Sequence, residues 1–91
     1  MRAKKVDNNH GEIREFLRAI PGVIVTDTSM FGNGFPDLLV KYKNNIYYVE
    51  VKKSSKEKLT PKEVIFQEFI GERYYIIVDQ IDCLEMLNEV L

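Results

Sequence analysis

Two carboxylates and an ammonium near the middle of the chain, Asp37, Glu50 and Lys52, have the types and spacing to do chemistry together. Paired carboxylates offer hard oxygen ligands that suit Mg²⁺ or Mn²⁺ rather than zinc. An ion held there can polarise a phosphoryl oxygen and lower the pKa of its bound water. A lysine beside it can orient that water or stabilise charge on a pentavalent phosphorus. The same residues admit a plainer reading, a surface ion pair worth about 0–1 kcal/mol. The choice depends on whether the fold turns all three to one face.

Residues 36–43 and 46–52 are strand-like runs flanking Asn44-Asn45, a hairpin signal. A two-residue turn at Asn44-Asn45 sets Lys43 opposite Ile46, Leu39 opposite Glu50 and Asp37 opposite Lys52. Opposed residues share a face, and side chains alternate with period two. Asp37, Leu39, Glu50 and Lys52 then project from one side, and Leu38, Val40, Val49 and Val51 from the core side. Asp37 and Glu50 become diagonal neighbours, roughly 7–8 Å apart, a span two carboxylates can close around one divalent ion.

Other elements must carry this hairpin. Asn9, with Glu12 three residues on, reads as a capping box. Ile13, Phe16, Leu17 and Ile20 follow at helical spacing, and Pro21-Gly22 ends the helix. Residues 23–26 are a β-branched strand, and 29–34, with two glycines, a loop. Thr60-Pro61-Lys62-Glu63 is a second capping box, opening a helix to Ile70 that Gly71 stops. The apolar run 73–78 is predicted as a central strand. A last helix over 79–91 bears Ile81, Leu84, Leu87, Val90 and Leu91, with Cys83 among them as a buried small hydrophobe. The order αβββαβα describes an α/β (α+β) fold, a small mixed sheet flanked by helices.

Composition narrows the function classes. The 91 residues, 45% hydrophobic and 30% charged, are expected to form one domain, 1–91. One cysteine and one histidine allow neither an internal disulfide nor a structural zinc site. His10, near the N-terminus, is a poor candidate base for a nucleophilic triad. No glycine-rich loop leads into Lys-Ser/Thr, so no nucleotide cofactor is expected. No apolar run is long enough for a membrane span or a signal peptide, so the expected compartment is cytoplasmic. Net charge is −1, but residues 1–62 carry 12 Lys/Arg against 7 Asp/Glu, and residues 63–91 carry 1 against 7. A basic front half fits an anionic partner on one face, or a solvated surface.

Gly34-Phe35-Pro36-Asp37-Leu38-Leu39-Val40, followed by Val49-Glu50-Val51-Lys52, resembles the PD-(D/E)XK nuclease signature, and within it the VRR-NUC branch, the virus-type replication-repair nucleases. The likeness spans nearly the whole chain, from Asp7-Asn8-Asn9 and Glu12-Ile13 to Leu59-Thr60-Pro61, in the family's αβββαβ order. It implies Asp37 and Glu50 as metal ligands, the backbone carbonyl of Val51 as a third, and Lys52 as the catalytic lysine. Glu12 matches the family's additional acid, or is only a helix cap. Relatives often carry a glutamine where this chain has Glu63, which also reads as a cap; Gln67 stands one turn later. Lys53, Lys56 and Lys58 either contact DNA phosphates or form a solvated loop. Tyr47, Tyr48, Tyr74 and Tyr75 could stack bases, but on paired strands they fit core or sheet surface better.

The resemblance implies an Mg²⁺- or Mn²⁺-dependent endonuclease hydrolysing DNA phosphodiesters. Stand-alone members resemble Holliday-junction resolvases, which implies branched DNA as substrate in a bacterial or phage replication-repair setting. A 91-residue domain presents little surface for DNA, so it is expected to work as a homodimer or within a larger complex. Val64, Phe66 and Ile70 supply apolar material for that interface, or for packing on the sheet. The alternative is a non-catalytic DNA-binding or assembly module that keeps the fold. Against it, two clustered acids would repel DNA unless an ion neutralised them.

Overall fold

Alternation and one left-handed turn build the sheet. In the computed structural model, which describes residues 9–88, the strands are β1 (Ile24–Asp27), β2 (Leu38–Tyr42), β3 (Asn45–Val51) and β4 (Tyr74–Ile77). The helices are α1 (His10–Arg18), α2 (Pro61–Ile70) and α3 (Gln80–Met86), with short 3-10 turns at Ser29–Phe31 and Gly71–Arg73. The strands lie in the order β1-β2-β3-β4; β1, β2 and β3 are antiparallel, and β4 joins parallel to β3. This is the mixed sheet flanked by helices that the sequence predicts.

Lys43 and Asn44 take φ of 54° and 80° and form the hairpin turn, so that Tyr42 pairs with Asn45 and Leu38 with Val49. Two positive-φ residues match the twist of paired strands. The turn comes one residue earlier than Asn44-Asn45, and the expected pairing is corrected accordingly. Because the loop still holds two residues, each side chain keeps its face. One step beyond the Leu38–Val49 pair, Asp37 and Glu50 come to stand opposite each other rather than diagonally.

Leu38, Val40, Tyr42, Tyr47, Val49, Val51 and Ile77 form the core side of the sheet, with Ile13 and Leu17 of α1 and Cys83 and Met86 of α3 packed on it. Burial pushes the Cys83 thiol up to about 12, so it stays a protonated, inert apolar group. The residues between these on β2 and β3 face the other way; Lys41 and Ile46 there are exposed, and Glu50 is buried.

Three expectations change. β4 is an edge strand, not a central one. Its core face is covered, with Ile77 buried; on the other face Tyr74 is buried but Ile76 is 42% exposed, as an edge position allows. α1 ends at Arg18, ahead of Pro21-Gly22, and Asn9 makes no side-chain cap. Its amide instead donates to the carbonyls of Lys52 (2.9 Å) and Val78 (2.6 Å), pinning the start of α1 to the ends of β3 and β4. α3 stops at Met86 with Ile81 exposed; Val90 and Leu91 lie outside the described residues, as do Asp7 and Asn8.

The second capping box forms as expected: the Thr60 hydroxyl accepts from the Glu63 N–H, and the Glu63 carboxylate accepts from the Thr60 N–H. No residue of α2 is fully buried, and Ile65 and Phe69 are exposed. The helix is anchored mainly through the loop before β2. Phe35 packs edge-on against Phe66 at 5.4 Å, and Gly34 touches the backbone of Lys62. Gly34 has φ 84°, and a Cβ there would lie 2.6 Å from Lys62 atoms. Gly34→Ala should therefore destabilise the protein by about 2 kcal/mol, combining left-handed strain with a backbone clash. The urea midpoint measures this; a wild-type midpoint would show that the loop does not need the glycine.

Candidate active site

The loop that contains Gly34 continues through Pro36, which is fully buried, into Asp37. Thr28 fixes it from the end of β1: its hydroxyl donates to the Pro36 carbonyl (2.7 Å) and its N–H to the Asp37 carbonyl (2.8 Å). Thr28 is steadied in turn by Asp27, whose carboxylate accepts from the Ser29 N–H and hydroxyl and from Arg14. His10 is buried beside this knot, with Nε2 3.8 Å from Asp27 Oδ1. The Asp37 side chain then accepts from the Val51 N–H (2.9 Å), replacing the ladder bond that would have continued the hairpin. A strand residue points its N–H and C=O to the same side. The Val51 carbonyl therefore faces the Asp37 side, while its side chain is in the core.

Asp37, Glu50 and Lys52 share the face away from the core, as their alternation predicts, and are only 8%, 4% and 6% exposed. That excludes the plain surface ion pair. Lys52 Nζ lies 2.9 Å from Glu63 Oε1 and 3.8 Å from Glu50 Oε2. Burial works against the lysine's charge, but Glu63 and Glu50 outweigh it and hold the pKa above the ordinary value. Glu63 is pulled below the usual carboxylate range: burial opposes this, and the Thr60 N–H and Lys52 prevail. Glu63 is thus both the cap of α2 and the partner of the lysine. In the sequence only its capping role is visible; the second role comes from the approach of Lys52 in the fold.

Glu50 behaves oppositely. Burial first, then the charges of Asp37 and Glu63, push its carboxyl up to about 10. Its Oε1 is buried and has no hydrogen-bond partner. An acid in this position lacks one thing, a positive charge on the open side of the Asp37–Glu50 pair. A divalent cation fits that requirement, with Asp37, Glu50 and the Val51 carbonyl as its protein ligands. Among the described residues no third His, Cys, Asp or Glu completes a metal-holding cluster. The donor set is therefore sparse and hard, matching Mg²⁺ or Mn²⁺, which retain several waters and bind through one or two carboxylates.

The structure does not bring Glu12 into this group. Glu12 is exposed and lines a cavity of about 370 Å³ with Ile13, Val78, Asp79, Gln80 and Ile81. The correction has a local cause: Asn9 clamps the helix start to the strand ends, and Glu12, one turn on, faces the cavity between α1 and α3. Lys53, Lys56 and Lys58 are exposed on the loop that leaves Lys52, which Ser54 and Glu57 brace through hydrogen bonds to its backbone. Gln67 is half-buried on α2, one turn beyond Glu63. Tyr47 packs edge-on against Tyr75 at 5.6 Å, and Tyr74 is buried, so none of these three rings is open to stack on a base.

No family model and no curated protein matches the chain. A solved structure described as a VRR_NUC domain does: it superposes with a TM-score of 0.66 at 28% identity, over 87% of this chain and 96% of its own. The chain has the VRR-NUC nuclease fold. The Gly34–Asp37 loop and the Glu50-Val51-Lys52 strand end, on which the likeness to VRR-NUC domains first rested, form one buried constellation within that fold. Among the described residues no helix is long and apolar enough to cross a membrane.

Proposed function

We propose that this chain is a divalent-metal-dependent DNA endonuclease. The observation that carries the reading is the burial of Asp37, Glu50 and Lys52 on one face of a VRR-NUC fold, with Glu50 left short of a counter-charge. Asp37, Glu50 and the Val51 carbonyl would hold Mg²⁺ or Mn²⁺. When bound, the ion supplies Lewis-acid polarisation of the phosphate and a more acidic water. The chain's own residues do the rest. Lys52, kept cationic by Glu63, offers its ammonium to the oxygens that gain charge as phosphorus becomes pentavalent. The buried surroundings strengthen that interaction relative to water. Lys53, Lys56 and Lys58 meet the flanking phosphates and position the strand without reading its sequence. Gln67, on the same helix as Glu63, adds a neutral polar contact.

The finer reading is a junction-selective enzyme acting as a homodimer, in the cytoplasm of a bacterium and within a phage or prophage replication-repair system. One chain carries one such site, and symmetric resolution of a four-way junction takes two, which a two-fold dimer supplies. Met30, Phe31, Ile65 and Phe69 are exposed on the 3-10 turn after β1 and on α2, an apolar surface of the kind a second copy covers. The whole reading is tested by incubating the protein with Mn²⁺ and linear, flap, fork and four-way DNA. Cleavage is expected, strongest on the junction, and Asp37→Asn should reduce it by about 10³-fold or more, given several kcal/mol of ion-derived stabilisation. Light scattering should report twice the chain mass. Metal-independent DNA binding with no cutting would instead support the non-catalytic module, and a monomer cutting only flaps or ends would remove the junction and dimer claims alone.

A further inference from the structure

Two buried polar atoms on the active face have no hydrogen-bond partner, Glu50 Oε1 and the Tyr74 hydroxyl. They stand on adjacent strands. In the parallel register Tyr48 pairs with Tyr74 and Glu50 with Ile76, so Tyr74 shares the face of Glu50 and lies diagonally from it. A tyrosine side chain spans such a diagonal. Tyr74 is only 8% exposed. Burial, then the charges of Glu50, Glu63 and Asp37, raise its pKa, so the phenol stays protonated and can donate. Buried hydroxyls without partners are rare in folded proteins, and one that persists calls for a role. Phenylalanine would fill the same space without the orphaned oxygen.

We propose that Tyr74 is a positioning residue of the metal site: its hydroxyl is the donor that orients the Glu50 carboxylate, directly or through one water, when the acid pair holds a divalent ion. This rests on the metal reading given above. Carboxylate ligands need such outer donors to fix their oxygens, and losing one typically weakens metal affinity or activity 10–100-fold. Tyr74 stands on β4, which contributes no residue to the acid pair or the lysine, so this contact would couple that strand edge to the ligand.

The test is Mn²⁺ titration by calorimetry of the wild type, Tyr74→Phe and Glu50→Gln, with metal-free melting curves and cleavage against Mn²⁺ concentration. Tyr74→Phe should bind Mn²⁺ about 10-fold or more weakly. Its half-saturating Mn²⁺ for cleavage should rise by the same factor, and its metal-free melting temperature should be no lower than wild type. Wild-type Mn²⁺ affinity in Tyr74→Phe, with Glu50→Gln binding none, would overturn the role of Tyr74 and leave the metal site standing. Equal uptake by wild type and Glu50→Gln, or none by either, would overturn the metal reading and the role of Tyr74 with it. A lower metal-free melting temperature in Tyr74→Phe would reduce Tyr74 to a packing residue and overturn the proposal.

Discussion

Glu50→Gln should make the metal-free protein more stable while abolishing DNA cleavage. The buried Glu50 carboxyl holds its proton up to about pH 10 in the fold, against an ordinary value of 4.5. At neutral pH the unfolded chain has this group ionised, so folding must take up a proton there. The sign follows from linkage: the folded state binds more protons between pH 4.5 and about 10, so stability falls as pH rises through that window. Glutamine mimics the protonated acid and removes both the penalty and its pH slope. Lys52 keeps Glu63 at 2.9 Å, so no cation is left unpaired. A gain of at least ~1 kcal/mol raises the melting temperature of a domain this size by about 4–8 °C. Adding Mn²⁺ should reverse the ranking, because ligand that binds only the folded wild type stabilises it in proportion to RT ln(1 + [L]/Kd). Calorimetry at pH 5 and pH 8, with and without Mn²⁺, checks all four values; a destabilised Glu50→Gln at pH 8 without metal would refute the account of Glu50.

Lys52→Met should do the opposite, losing stability and activity together. Removing the cation leaves the ionised Glu63 against an uncharged, 6%-exposed position. Breaking one partner of a buried pair typically costs about 3–5 kcal/mol. Cleavage should fall by about 10²–10³-fold, the usual effect of deleting one donor to developing charge. The informative variant is Lys52→Met combined with Glu63→Gln. Glutamine at this position still serves the capping box with Thr60, so the cap of α2 survives while the stranded charge disappears. Urea midpoints should recover most of the loss, and cleavage should not return. A double variant as unstable as Lys52→Met alone would show that the lysine acts through packing of its stem rather than through its pairing.

The constellation was legible because alternation is a strong constraint. Leu38, Val40, Val49 and Val51 can only be core, which turns Asp37, Glu50 and Lys52 to the opposite face. The register within that face was not legible. Moving the turn from Asn44-Asn45 to Lys43-Asn44 shifts the strands by one residue each and exposes no apolar side chain, so hydrophobic pattern cannot separate the two. What favours the observed register includes a contact remote in sequence: Arg73 Nη2 donates to Asn45 Oδ1 at 2.9 Å, using Asn45 as a strand residue. Asn9 misled for a related reason. An asparagine before a helix usually caps it, and here two strand-end carbonyls compete successfully for its amide. The edge position of β4 is not written in its apolar run, which says nothing about the number of lateral neighbours and includes the exposed Ile76. Tyr74 could not be placed before the parallel register of β4 on β3 was known.

The hydrogen bonds that shape the site close over long stretches of chain. Val51 to Asp37 spans 14 residues, Lys52 to Glu63 spans 11, and Asn9 reaches 43 residues to Lys52 and 69 to Val78. No contiguous fragment ending before β4 contains all the partners that hold Lys52, even though Asp37, Glu50 and Lys52 are present well before its end. Bonds of such wide separation form late and together, since loop closure must be met before the contact repays it. During synthesis the emerging polypeptide therefore carries its acids and its lysine without an assembled centre. The assembled Asp37–Glu50–Lys52 centre arrives with the final cooperative folding event rather than accumulating residue by residue.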